Sequence, residues 1–280
     1  MLTVIGDLVE DIVVWTAGPT RRGTDNTSVI TRRRGGSAAN VAAHAAGSTE
    51  VRFIGRVGTD PVGERLVAAL GASGVEVRAQ RGGRTGTVVV MVDSTDGERT
   101  MFPDRAAAAE LGPVDPTWLV DTSVLHVPAY GLATEPAATS ILEAVDSVHA
   151  SGGAVSFDLS AVTLVEWFGP DRLVSTLLGA KADLVFANSE EAASCDLARL
   201  VEGGSIVVVK NGADPAVVST RSGIVRVDAL PVEGVLDTTG AGDAFAAGFL
   251  ADWAIHRDPV AACRSAHRLA ATVLHVPGAG

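Results

Sequence analysis

The sequence predicts an α/β fold: a mostly parallel central sheet with helices on both faces, joined to a small β-rich lid. Three observations carry this. Short apolar runs at 124–127, 154–157, 184–186 and 206–209 are separated by helical stretches near 135–150, 170–180 and 189–200. Strands that alternate with helices pair in parallel and are covered on both sides. Two β-rich pieces, at about 10–33 and 84–104, are too small to fold alone and read as one discontinuous lid on a single domain spanning 1–280. The chain is 47% hydrophobic but only 4% aromatic, which suits a core of closely packed Ala, Val and Gly.

The elements follow in order. Residues 3–5 read as a buried strand ending at Gly6-Asp7. The next part mixes β-rich pieces at 12–15 and 28–30 with turns at Gly18-Pro19 and Arg22-Gly23. Gly35-Gly36 bends into a small-residue helix over 37–46, with Ser37 as its cap. A strand at 51–54 precedes Asp60-Pro61, a good N-cap and first position for a helix over 62–70. Residues 85–92 and 99–102 form a predicted hairpin around Asp96-Gly97. After the alternating region come a β pair at 216–220 and 223–227, an extended run ending at Val235-Leu236, and two closing helices. Ligands in such sheets bind beyond the carboxyl ends of the strands, where Gly6, Asp158, Asn188 and Lys210 fall.

A formal charge of −11 argues against a general nucleic-acid or membrane-surface binder. Cys195 and Cys263 form neither a metal-ligand spacing nor a disulfide framework, and the six histidines are scattered. No leader or membrane span is visible. The expectation is a soluble cytoplasmic protein with no nucleic-acid or membrane partner.

The chemistry concentrates at Asp237-Thr238-Thr239-Gly240-Ala241-Gly242-Asp243-Ala244-Phe245. Phe245, Phe249, Leu250 and Trp253 recur at helical spacing and predict a core-facing stripe. Asp243 precedes Phe245 by two residues, roughly 200° round the axis, and faces away from it. It stands in a first helical turn, where N–H groups lack partners and the dipole is positive. Gly240 and Gly242 let an anion approach that backbone closely. An anion site beside one carboxylate suits phosphoryl transfer to a hydroxyl: the amides around Ala241 hold charge and Asp243 takes the proton. A bare Gly-x-Gly-Asp is more often a plain helix start with an acid in its first turn, so other stretches matter.

This string resembles the C-terminal signature of the ribokinase-like (PfkB) carbohydrate kinase family, and three further stretches resemble the same family. Gly6 to Asp11 is similar to its strand-to-lid segment, Gly35-Gly36-Ser37-Ala38-Ala39-Asn40 to its Gly-Gly-x-x-x-Asn turn, and Asn188-Ser189-Glu190-Glu191 to its Asn-x-x-Glu motif. The resemblance implies a ribokinase-like three-layer sandwich with a small β lid. It implies Asp243, Gly240, Ala241 and Gly242 as the catalytic group, and Asp11, Gly36, Asn40 and Arg105 on the substrate. Asn188, Lys210, Gly212, Thr238, Gly240 and Gly242 would then serve the nucleotide, and Glu191 would order Mg²⁺ through water. Gly278-Ala279 resembles an element near the nucleotide base. Asn188 and Glu191 also fit an ordinary capping box. There are departures: Ser37 stands where ribokinase has a lysine, Pro215 replaces a common glycine, and Ala106-Ala107-Ala108 follows Arg105 in place of Gly-Ala-Asn.

The expected activity is an ATP- and Mg²⁺-dependent kinase acting on a small sugar or sugar acid. A monovalent cation and a homodimer formed through the lid are further expectations. The alternatives are a nucleoside kinase of the same family and a non-catalytic sugar-binding protein on this fold. No Gly-x-x-x-x-Gly-Lys-Ser/Thr string supports a P-loop kinase, and no Gly-x-Gly-x-x-Gly follows the first strand. On charge, Asp11, Asp25 and Asn40 face the substrate with Arg105 as the fixed cation, while Arg32-Arg33-Arg34 reads as a solvated face and Trp15 and Tyr130 as core or rim. A neutral sugar or singly charged sugar acid is therefore expected over a phosphosugar.

Overall fold

A computed structural model describes residues 1–93, 98–235 and 237–275. Asp96-Gly97, Leu236 and Gly278-Ala279, named above, lie outside these. The larger sheet has the order β13-β12-β11-β10-β9-β8-β1-β4-β5. Its strands are β1 (Leu2–Ile5), β4 (Val51–Val57), β5 (Glu76–Arg81), β8 (Val124–Pro128), β9 (Ala154–Asp158), β10 (Leu184–Asn188), β11 (Ile206–Lys210), β12 (Ala216–Thr220) and β13 (Gly223–Val227). Pairing is parallel from β5 through β11, and β12 and β13 add an antiparallel edge.

Successive residues of the central strands enter opposite cores. Val4 and Phe53 pack with α1 (Ser37–Ala45), α2 (Pro61–Ala72), α8 (Ala241–His256) and α9 (Pro259–Val273). Ile5 and Ile54 pack with α3 (Ala137–Ala150), α4 (Val162–Phe168), α5 (Pro170–Gly179) and α7 (Ala198–Gly203). Strands buried on both faces read as near-continuous apolar runs, broken in β8 and β9 only by His126 and Ser156, which bond each other at 2.9 Å, and this made them legible.

Some elements differ from expectation. The strand β5 was not predicted, because at the sheet's edge it alternates Glu76, Arg78 and Gln80 with Val77 and Ala79, leaving no apolar run. The stretch 189–200 is two short helices, α6 (Ser189–Ser194) and α7, parted at Cys195 by an extended backbone. The helix α8 is buried nearly all round, from Ala244 to Ala251, rather than along one stripe, as befits a helix wedged between neighbours. A Cβ on its Gly248 would lie 2.9 Å from Ser265 O of α9.

The smaller sheet has the order β3-β2-β6-β7, from β2 (Val9–Thr16), β3 (Ser28–Gly35), β6 (Thr87–Asp93) and β7 (Arg99–Asp104). It joins two distant segments, because β2 pairs with β6 in parallel. Buried Glu10 ties it to the body, accepting from Arg32 of β3 at 2.7 Å and from Arg65 of α2.

Candidate active site

The parallel strands end in a row of polar residues: Asp7 after β1, Asp158 on β9, Asn188 on β10 and Lys210 on β11. Register aligns Phe186 with Asp158 and Asn188 with Lys210. Above this row lies a cavity of about 740 Å³. Its floor is the sheet edge and the first turns of α1 and α8, and its far wall is one face of the smaller sheet. Asp11, Gly36, Asn40, Arg105, Asn188, Glu191, Lys210, Gly212, Gly240, Gly242 and Asp243 all line it. Thr238 and Ala241 sit one position away, with Ala241 N donating to Thr238 O at 3.2 Å. Gly242 and Asp243, which line the cavity, have backbone N–H groups with no backbone partner among the described residues. Gly240 starts α8 in the left-handed conformation, with φ 77° and no side-chain cap, so these N–H groups stay available to an anion.

Asp243 is held at both carboxylate oxygens. Ser37 Oγ donates to Oδ1 at 2.7 Å and Asn40 Nδ2 donates to Oδ2 at 3.0 Å. Arg34 donates in turn to Asn40 Oδ1 at 3.0 Å. Burial pushes the Asp243 pKa up to about 6, against the two hydrogen bonds that lower it, with Asp158 raising it and Lys210 lowering it. A carboxylate poised near neutrality and already oriented is suited to general-base work. The sequence suggested Ser37 as a helix cap. Instead, Gly36 occupies the cap position at φ 101° with no side-chain bond, and Ser37 spends its hydroxyl on Asp243. Asn40 likewise uses its amide on protein partners, not freely on a polyol.

The glycine pair has a steric reason. A Cβ at Gly35 would fall 2.0 Å from Asp11 Oδ1, and one at Gly36 would fall 2.4 Å from Asp7 O. The Asp11 carboxylate accepts no hydrogen bond from the described residues. Burial pushes its pKa to about 7, with Asp7 adding to the rise and Arg34 and Arg105 opposing it. Arg105 pairs with Asp7 and stacks on Tyr130, 3.8 Å from the ring centroid.

On the other side of the floor, Glu191 is buried in a complete capping box. Its carboxylate accepts from Asn188 N and Nδ2, each at 2.8 Å, and its own N–H donates to Asn188 Oδ1 at 2.8 Å. Burial and then Asp158 raise the Glu191 pKa. No three His, Cys, Asp or Glu side chains gather as a metal cage among the described residues. Buried Glu191, with Asp158 near it and no cage of ligands around it, fits a Mg²⁺ that keeps its waters and is held chiefly by phosphates.

Sequence reasoning missed several neighbours. Arg33 and Arg34 line the cavity with Arg99 of β7, correcting the reading of 32–34 as a solvated face; of the three, Arg32 is the outward one, 61% exposed at its side chain. Alternation along β3 could have signalled Arg33, since Asp11 and Arg33 are register partners. Asp25 is exposed and does not line the cavity, whereas Arg33, Arg34, Arg99 and Arg105 all do, so the expected charge balance of Asp11 and Asp25 against Arg105 as the fixed cation does not hold. Trp15 and Tyr130 do line it, with Val13, Val90, Val92 and Met101 giving the far wall an apolar surface. Arg99 reaches from β7 to Asp237, whose Oδ1 also accepts from Thr239 N at 2.7 Å and Thr239 Oγ1 at 2.6 Å. No helix among the described residues is long and apolar enough to cross a membrane.

Residues 1–280 match the profile of the pfkB family carbohydrate kinase. A fructokinase of Klebsiella pneumoniae is 33% identical over 274 residues, covering 91% of this chain and 85% of its own length. An ATP-dependent ribose-1-phosphate kinase of Halopiger xanaduensis is 35% identical over 235 residues, covering 78% of this chain and 73% of its own. Among solved structures, adenosine kinase from Sinorhizobium meliloti superposes with a TM-score of 0.88 at 26% identity, over 99% of this chain and 94% of that chain.

Proposed function

This chain belongs to the pfkB family of carbohydrate kinases, and from that premise we propose that it transfers the γ-phosphoryl group of ATP to a hydroxymethyl group of a small sugar or sugar acid, with Asp243 as the base. The observation that carries the reading is the doubly held carboxylate of Asp243 at the uncapped start of α8. The hydroxyl proton passes to Asp243 as the acceptor oxygen bonds to the γ-phosphorus. The bond from that phosphorus to the bridging oxygen breaks, and ADP leaves. The Gly242 and Asp243 amides face the charge that spreads over the phosphoryl oxygens.

Asp11 serves the substrate. Its carboxylate accepts no hydrogen bond from the described residues and lines the cavity, and sugar hydroxyls are donors that match it. Arg105, pinned by Asp7 and Tyr130, is placed for a carboxylate or hydroxyl of the acceptor. The smaller sheet acts as a lid that excludes water. A second reading, nucleoside phosphorylation, is favoured by the apolar lid wall of Val13, Trp15, Val90 and Met101. The test is ADP release with fructose, a 2-keto-3-deoxy sugar acid, ribose 1-phosphate and adenosine at equal concentration. Fructose or the sugar acid should lead; preference for ribose 1-phosphate or adenosine contradicts the assignment of acceptor, and turnover of none contradicts the reaction.

Asn188, Glu191, Lys210, Gly212 and Thr238 belong to the nucleotide side. Glu191→Gln keeps the shape of the capping box while removing a charge. It should raise the Mg²⁺ concentration for half-maximal rate by about tenfold, with sugar affinity in the absence of nucleotide unchanged. An unaltered Mg²⁺ dependence reduces Glu191 to its capping bonds.

A further inference from the structure

Asp158 was placed by the sequence only as a strand-end residue, yet it is the fixed centre of the nucleotide side. Its Oδ1 accepts from Ser160 N at 3.0 Å, and its Oδ2 accepts from Lys210 Nζ at 2.6 Å. The bond to Lys210 spans the intervening strand β10. Both side chains are largely enclosed, at 7% and 15% exposure. Ser160 adopts φ 73°, a left-handed conformation costly for a residue with a side chain. It is kept there by accepting from Ala129 N at 3.1 Å and donating to Asp158 O at 3.0 Å. The carboxylate therefore has little freedom to turn.

The ammonium has a second neighbour. A Cβ built on Gly242 would lie 3.5 Å from Lys210 Nζ, so the cation stands against the uncapped turn of α8. Three carboxylates face this region: Asp158 from β9, Glu191 from α6 and Asp243 from α8, with neutral His126 of β8 buried nearby. A phosphoryl group entering beside Asp243 meets that negative charge, and amide dipoles alone must offset it unless a cation joins them. We propose that Asp158 is a positioning residue that aims the Lys210 ammonium at the γ-phosphoryl group of ATP, so that Lys210 completes the anion hole with the Gly242 and Asp243 amides. Lys210 then contacts the group in transit and not the ADP left behind. Burial disfavours the charge on Lys210, but Asp158, Glu191 and Asp243 together raise its pKa, so the side chain stays a cation. The proposal rests on the kinase reading above and goes beyond it by giving Asp158 and Lys210 separate tasks.

The test is calorimetric titration with Mg²⁺·ATP and with Mg²⁺·ADP, in the absence of any acceptor sugar. Lys210→Met should weaken ATP binding by about tenfold or more while ADP binding stays within about twofold. Lys210→Arg, which keeps the charge, should recover most of the loss. Asp158→Asn should weaken ATP binding several-fold, and the double variant Asp158→Asn with Lys210→Met should match Lys210→Met alone, because one residue acts through the other. The double variant does not strand the Asp158 carboxylate without its ion-pair partner, so it reports even where Lys210→Met alone does not fold. Equal losses for ATP and ADP would make the ion pair purely structural and overturn the proposal, as would additive effects in the double variant. A wild-type chain that binds neither nucleotide contradicts the kinase reading itself, a different result from unselective losses.

Discussion

Asp243→Asn should lower kcat by about 10²-fold or more while leaving sugar affinity within a few-fold. The amide preserves shape, and the Ser37 hydroxyl can turn to suit it, but no proton acceptor remains. The same variant should be more stable than the wild type above pH 6. The Asp243 carboxyl has a pKa of about 6 in the folded chain against 3.8 for a free carboxyl. The folded state thus binds this proton more tightly than the unfolded one. Stability from this group is present below about pH 4, is lost as pH rises through about 6, and stays lost above. Removing the charge returns on the order of 1–3 kcal/mol at pH 8. Rate and stability move in opposite directions, so a damaged fold cannot explain the loss of rate. Thermal unfolding at pH 8 beside the kinetics checks both halves, and a variant both slow and less stable would contradict the burial argument.

Gly36→Ala should damage the site from a position that need not touch the substrate. Its φ of 101° is strained for any side chain, and the new Cβ would meet Asp7 O at 2.4 Å. That neighbour is backbone, so the start of α1 must move. Ser37 and Asn40 ride on this turn and hold Asp243 from it. Relieving that contact takes a shift of about an ångström, which stretches and misaligns both bonds. The expected result is a loss of about 1–3 kcal/mol in stability with a fall in kcat of about 10²-fold. A Gly36→Ala chain with wild-type Tm and kcat would show that the turn tolerates a side chain.

How much of this was legible in the sequence depends on where each partner lies. The strands at 124–127 through 206–209 announce themselves because burial on both faces makes each run apolar. The turn at 237–245 is legible because glycines, a carboxylate and a helix start stand side by side. Ser37 and Asp243 are 206 residues apart, and nothing local to Ser37 separates a cap from a partner to a distant acid. Arg34 is similar: it lies on the opposite pleat from Arg33, and it reaches the cavity through Asn40 at the end of β3, so alternation along the run does not reveal that both line it. Lys210 reaches Asp158 across a strand, and that pairing requires the strand order β9-β10-β11, which the sequence alternation suggested without fixing.

The central claim is that Asp243 is the base, and its most direct test is the pH dependence of kcat at saturating ATP, Mg²⁺ and sugar. With a pKa near 6, raised further by any bound phosphate, kcat should be flat near pH 8 and fall tenfold per pH unit on the acid side, with the limb at pH 6 or above. The Asp243→Asn variant should keep its low residual rate without that limb. A wild-type kcat that holds its pH 8 value down to pH 5, in a chain still folded, would contradict the assignment of Asp243 as the group that takes the proton.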